Sequence, residues 1–187
     1  MLLEMIRPIG VEGSTILDIG GGIGVIDQEL LKAGAGRATM VDVSHAYLEV
    51  AREEARDADL LERIEFHQGD FVAHAAATDA ADIVTLDRVV CCYQDADALV
   101  GLSSARASRV YGLVLPRDRF LFRAAMRLYN LTLRMRRKAY RGYVHSNAAI
   151  DALVEAGGLR PRSEGRTFVW RVVVYERREG IKVAGTS

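Results

Sequence analysis

Thr15-Ile16-Leu17-Asp18-Ile19-Gly20-Gly21-Gly22-Ile23-Gly24 decides how this chain is read. Ile16, Leu17 and Ile19 read as the end of a buried strand, and Val25 to Ala33 as a helix. The glycine run between them turns the chain sharply. Glycine tolerates positive φ there, and without a Cβ it lets a ligand lie against the backbone. A helix N-terminus aimed at such a turn adds free N–H groups and partial positive charge. The stretch therefore reads as a strand–glycine loop–helix cradle for a nucleotide.

The identity of the nucleotide follows from what is missing. A dinucleotide fingerprint requires G-x-G-x-x-G, and Val25 stands where the third glycine belongs. A phosphate-binding P-loop requires Gly-Lys-Ser/Thr, which is absent. What remains is Asp18, Ile19, then Gly20-x-Gly22-x-Gly24. This resembles motif I of the class I S-adenosylmethionine (SAM)-dependent methyltransferases. The resemblance implies that Asp18 faces the methionine part of SAM and that Gly20, Gly21, Gly22 and Gly24 line the cofactor.

Downstream segments fit the same scheme. Ala38 to Val41 reads as a second buried strand ending at Asp42, followed by Val43. An acid about 20 residues beyond the glycine loop can take both ribose hydroxyls, in NAD and SAM enzymes alike. Ser44 is a good N-cap for the next helix, whose apolar face reads as Tyr47, Val50, Ala51 and Ala55. Ile64 to His67 is a third strand, then Gly69-Asp70-Phe71. The resemblance assigns Asp70 to the adenine amino group and the Phe71 N–H to the ring.

Asp82 to Leu86 is the fourth strand, followed by Asp87-Arg88-Val89-Val90-Cys91-Cys92-Tyr93. In an open parallel sheet, ligands sit beyond the strand carboxyl ends where strand order reverses. Asp87 is therefore a cofactor-side candidate, and Arg88 and Tyr93 are candidates for acceptor contact. Many relatives carry two histidines where Cys91 and Cys92 stand. The cysteines read here as small buried apolar residues. Asp97 to Ala107 makes a helix with Leu99, Leu102 and Ala105 on one face, and Val110 to Leu115 a fifth strand stopped by Pro116.

Residues 117–141 hold nine Lys/Arg against the single acid Asp118. Arg119, Arg123, Arg127, Arg134, Lys138 and Arg141 share one helical stripe, while Leu121, Ala125, Leu128, Thr132 and Met135 share another. Three readings of this basic insertion stand side by side: a cover over the acceptor pocket, a peripheral contact with anionic lipid or an acidic ligand, or a dimer seam. Tyr143-Val144-His145-Ser146, just before the helix with its Ile150, Leu153 and Val154 face, resembles the aromatic-x-His-Ser connectors that border the acceptor pocket in many methyltransferases, and the resemblance implies that Tyr143 and His145 are candidate acceptor contacts. A neutral imidazole could take a proton from an acceptor hydroxyl. His145, Tyr143 and Asp87 are thus the only catalytic candidates, and no base is assigned. Leu159 to Thr167 and Phe168 to Glu176 close as a hairpin, and Arg177 to Ser187 reads as a polar tail.

Composition sets the bounds. With 187 residues, a single domain spanning 1–187 is expected. Lys+Arg and Asp+Glu are 25 each, so no wholesale nucleic-acid binding is expected. The two cysteines are adjacent and the four histidines scattered, which argues for a reducing, cytoplasmic setting and against a metal site. Only Met1 to Ser14 precede the first strand. A lid over the cofactor is then expected from elsewhere in the chain, or from upstream residues that relatives carry.

The expected fold is α/β: a Rossmann-like doubly wound seven-stranded sheet, mostly parallel, with an antiparallel C-terminal hairpin. The expected activity is methyl transfer from SAM, leaving S-adenosylhomocysteine (SAH), to an oxygen, nitrogen or carbon of a small organic acceptor. A silent SAM-binding module is the alternative, and an NAD-dependent oxidoreductase a more distant one.

Overall fold

The computed structural model describes residues 1–138 and 140–178. Seven strands form one sheet: β1 (Thr15–Ile19), β2 (Arg37–Asp42), β3 (Ile64–Gln68), β4 (Ala81–Asp87), β5 (Ala107–Pro116), β6 (Leu159–Arg166) and β7 (Trp170–Arg177). Among the described residues seven α-helices accompany them: α1 (Leu2–Ile6), α2 (Val25–Lys32), α3 (His45–Asp57), α4 (Phe71–His74), α5 (Ala96–Arg106), α6 (Phe120–Met135) and α7 (Asn147–Ala156). The strand order is β3-β2-β1-β4-β5-β7-β6. β1 through β5 run parallel, and β7 is antiparallel to both β5 and β6. The expected seven-stranded sheet with its antiparallel hairpin is present. Order reverses between β1 and β4, which places the crevice of an open α/β sheet above those two strand ends.

Both faces of the sheet are buried, which is why its central strands read as near-continuous apolar runs. On one face Leu17, Val84, Leu86, Tyr111 and Val173 pack with Leu99, Ile150 and Val154 of α5 and α7. On the other, Ile16, Met40, Ile83 and Val174 pack with Leu2, Ile6, Leu30 and Leu48 of α1, α2 and α3.

Two helices are rotated relative to the expectation. In α3 the buried residues are Leu48, Ala51 and Ala55, while Tyr47 and Val50 are exposed. In α5 the buried set is Ala96, Leu99, Val100, Ser103 and Ser104, and Leu102 is exposed. Both helices offer two overlapping apolar sets, and the sheet beneath chooses between them. Ser103 survives burial because its hydroxyl bonds the Leu99 carbonyl at 2.7 Å and meets the Tyr111 hydroxyl at 2.7 Å. Of the expected polar tail, Arg177 closes β7, and residues 179–187 lie outside the described residues.

Candidate cofactor and acceptor site

The turn after β1 is built from glycines at positive φ: Gly20 (69°), Gly22 (61°) and Gly24 (79°), the last capping α2. At Gly20 an added Cβ would overlap the Val89 side chain from the loop after β4. At Gly22 it would meet nothing within 4 Å, so the backbone there faces open space that a ligand can enter.

Asp42 ends β2 and is turned toward this loop. Its Oδ2 accepts the Gly22 N–H at 3.0 Å and its Oδ1 the Ser44 N–H at 2.8 Å. A carboxylate offers about four lone-pair sites, so two remain for a diol. Ser44 caps α3 as expected, accepting from the Tyr47 N–H at 3.3 Å.

Asp18 lies beneath the loop rather than on the cavity surface, with only 1% of it exposed. β1 and β4 are in register at Asp18 and Thr85, so the Thr85 hydroxyl donates to Asp18 Oδ1 at 2.6 Å. The other oxygen is buried without a partner, 2.6 Å from where a Cβ on Gly21 would stand. Burial, then the nearby Asp87 and Asp42 carboxylates, push its pKa from 3.8 to about 7 against the lowering effect of Thr85.

A second acid joins it that the sequence reading missed. Asp27, in the first turn of α2, is fully buried and neither carboxyl oxygen has a partner. Burial and the Asp18 charge raise its pKa well above the usual carboxylate range. An acid in a helix's first turn ordinarily offsets the helix dipole at the surface, so only burial reveals the pair.

A cavity of about 260 Å³ opens beside the loop. Gly20, Asp42, Val43, Asp70, Phe71, Asp87, Arg88, Cys92 and Tyr93 are among its lining residues. These came from separate stretches of sequence, and the fold brings them to one place. A larger groove of about 580 Å³ near β3 gathers neither the glycine turn nor any of Asp18, Asp42, Asp70 and Asp87.

Asp70 caps α4 through the Val72 N–H at 3.0 Å and accepts the Tyr93 hydroxyl on both oxygens, at 3.0 and 2.8 Å. Burial and Asp70 push the Tyr93 pKa up to about 12, so the phenol keeps its proton and donates. Tyr93 is thus tied to Asp70 as well as lining the cavity. Arg88 grips Asp87 through two hydrogen bonds of 3.1 Å and sits at φ 60°, a strained backbone for a residue with a Cβ.

Cys91 is buried, but Cys92 is exposed and lines the cavity, contrary to the expectation of two buried apolar residues. The two Sγ atoms are 3.7 Å apart, and Cys92 Sγ is 3.3 Å from the Tyr140 hydroxyl. Hydrogen bonds from Cys91 and then Tyr140 bring the Cys92 pKa down to about 6, against the effect of burial.

Tyr143 donates its backbone N–H to the Cys91 carbonyl at 2.7 Å, and its ring stacks on His145 at 5.7 Å. His145 Nε2 lies 2.9 Å from the Tyr93 carbonyl. A carbonyl only accepts, so this nitrogen carries the proton and Nδ1 keeps the lone pair. The imidazole therefore braces the loop after β4, and only Nδ1 is left to act as a base.

Beyond Cys91 and Tyr140 lies a second cavity of about 310 Å³. Its lining includes Pro116, Phe122, Met126, Tyr129, Val144 and Trp170.

Residues 16–108 match the family model of a methyltransferase domain. Over those residues the chain carries a methyltransferase domain. It is 33% identical over 69 residues to a ribosomal protein L11 methyltransferase of Deinococcus radiodurans, covering 37% of this chain and 25% of that protein. It is 33% identical over 75 residues to a ubiquinone/menaquinone biosynthesis C-methyltransferase of Roseobacter denitrificans, covering 40% and 30%. The chain thus spans about a quarter to a third of the length of these curated relatives. The fold is shared with the magnesium protoporphyrin IX methyltransferase of Synechocystis PCC 6803, solved with bound SAH: TM-score 0.76, 20% identity, covering 95% of this chain and 80% of that one. SAH is the ligand of that neighbour; here the open backbone at Gly22 and the two unused acceptor positions of Asp42 leave room and acceptors for an adenosyl group.

Proposed function

We propose that this methyltransferase moves a methyl group from SAM to a small organic acceptor held in the apolar cavity beneath α6. The carrying observation is the convergence of Gly20, Asp42, Asp70 and Asp87 on one cavity whose rim, at Cys92, touches the Tyr140 that borders the second cavity. When bound, SAM supplies a methyl already activated by its sulfonium charge.

The chain's part is positioning and water exclusion. Asp42, fixed by the Gly22 and Ser44 N–H groups, takes the ribose hydroxyls. Asp70 and the Phe71 N–H, in the first turn of α4, meet the adenine edge. Gly20, Gly21, Gly22, Gly24 and Val43 form the cradle wall. Asp18 stands under the loop with an unused oxygen toward it. Asp87, its charge balanced by Arg88, lines the same cavity on the side of the loop after β4. Tyr143, bonded to the Cys91 carbonyl, and His145, against the Tyr93 carbonyl, hold the loop between the two cavities, and the aromatic and aliphatic lining of the acceptor cavity selects a largely apolar molecule.

The test is thermal shift and calorimetry with SAM, SAH and NAD, followed by methyl transfer to a panel of apolar aromatic acceptors, with L11 protein as a comparison. SAH is expected to raise the melting temperature and NAD to leave it unchanged. A nicotinamide-specific shift refutes the cofactor assignment. Tight SAH binding with transfer only to L11 refutes the acceptor class. Tight binding with no transfer to any acceptor supports the silent module instead.

A further inference from the structure

Helix α6 has no buried residue. At 100° per residue, its side chains fall into three stripes. Phe122, Met126 and Tyr129 face the body and line the apolar cavity. On the outer side Phe120, Leu121, Leu128, Leu131 and Met135 are exposed by 73, 77, 64, 54 and 77%. Arg123, Arg127 and Arg134 form the third stripe, alongside Phe120 and Leu131. Of the apolar set that sequence periodicity picked out, Ala125 lines the cavity, while Leu121, Leu128 and Met135 point away from the protein. The tip of the β6–β7 hairpin adds an exposed aromatic beside the helix: Phe168 is 75% exposed and packs edge-on against Phe122, at the edge of the inner stripe, at 5.6 Å.

A helix whose outer side faces only water carries polar groups there. A continuous exposed apolar patch of this kind marks an interaction surface. Charge identifies the occupant. Residues 117–141 carry a net charge of +8, and because the chain is neutral the remainder carries −8. Among the described residues, none of Arg119, Arg123, Arg127, Arg134, Arg136, Arg137, Lys138 and Arg141 makes an ion pair. In a two-fold dimer the same patch meets itself, which would set these cations against each other. A surface with apolar depth and anionic headgroups satisfies both stripes at once.

We propose that α6 and the β6–β7 tip dock on an anionic lipid bilayer. The helix lies along the surface, with Leu121, Leu128, Leu131 and Met135 among the acyl chains and Arg123, Arg127 and Arg134 at the phosphates. No described helix is long and apolar enough to cross a membrane, so the contact is peripheral. Docking would also bring the cavity lined by the inner side of α6 to the lipid boundary, where an apolar acceptor dissolves. The docking itself is independent of the methyl-transfer reading, and its readout is binding.

The experiment is vesicle flotation of the full chain with phosphatidylcholine alone and with phosphatidylcholine mixed with phosphatidylglycerol. Binding is expected only to the anionic vesicles, roughly tenfold or more above neutral ones, and to weaken as salt rises. Leu128→Asp and the pair Arg123→Glu with Arg127→Glu should each reduce it about tenfold. These side chains are exposed, so melting temperature and SAH binding should be unchanged. Equal binding to both vesicle types, no binding to either, or wild-type binding by the variants would overturn the proposal. So would light scattering that shows a dimer which Leu128→Asp splits while vesicle binding is absent, because the face would then belong to a second copy.

Discussion

Replacing Asp18 and Asp27 together by asparagine should change how stability depends on pH. Asp18 is buried with one oxygen bonded to Thr85 and the other unpartnered, and burial lifts its pKa from 3.8 to about 7. The folded protein thus holds this proton more tightly than the unfolded chain, where a carboxyl is ordinary. Stability contributed by the protonated group is full below about 3.9 and is lost as pH rises through the folded value. At about 1.4 kcal/mol per pH unit, the loss from Asp18 alone is roughly 4 kcal/mol. Asp27 shifts in the same direction and extends the loss to higher pH. Urea unfolding free energies of wild type and variant, measured from about pH 4 to pH 9, give a difference curve in which all other titrating groups cancel. Asparagine can still accept from Thr85, and its unpartnered amide adds an offset that does not vary with pH. The expected result is a variant that gains on wild type by a few kcal/mol as pH rises. A flat difference curve would refute the buried, protonated pair.

Asp42→Ala should weaken SAH binding by roughly 10- to 100-fold in calorimetry, because a buried charged acceptor for the ribose and the brace on Gly22 are lost together. Gly20→Ala should lower stability by about 2 kcal/mol or more, combining a positive φ with overlap on Val89. Gly22→Ala should cost only about 1 kcal/mol of stability yet abolish SAH binding, since its Cβ enters the open ligand space. Equal melting losses for the two glycine variants would contradict this contrast. Iodoacetamide should label Cys92 with a midpoint at about pH 6, leaving Cys91 unmodified, and Tyr140→Phe should move that midpoint upward. Labelling of Cys91 first would refute it.

What the sequence determined by itself was the succession of strands and helices and several of the residues that the fold gathers at one cavity. Strands buried on both faces demand unbroken apolar runs, and a sharp turn demands glycines, so the strands, the positive-φ turn at Gly20, Gly22 and Gly24, and the meeting of Gly20, Asp42 and Asp70 at one cavity were legible. Which way each helix turns was not. α3 and α5 each carry two competing apolar sets, and the packing partner chose Leu48 over Tyr47 and Val100 over Leu102. Asp27 had the look of a surface charge until burial removed it from water. The adjacent cysteines differ because only Cys92 reaches the cavity and Tyr140. On α6 periodicity named the stripes but left three readings of them open; the body takes the Phe122 and Met126 side and leaves Leu121, Leu128 and Met135 uncovered. Periodicity names the faces of a helix; the shape of its neighbours decides which face is buried.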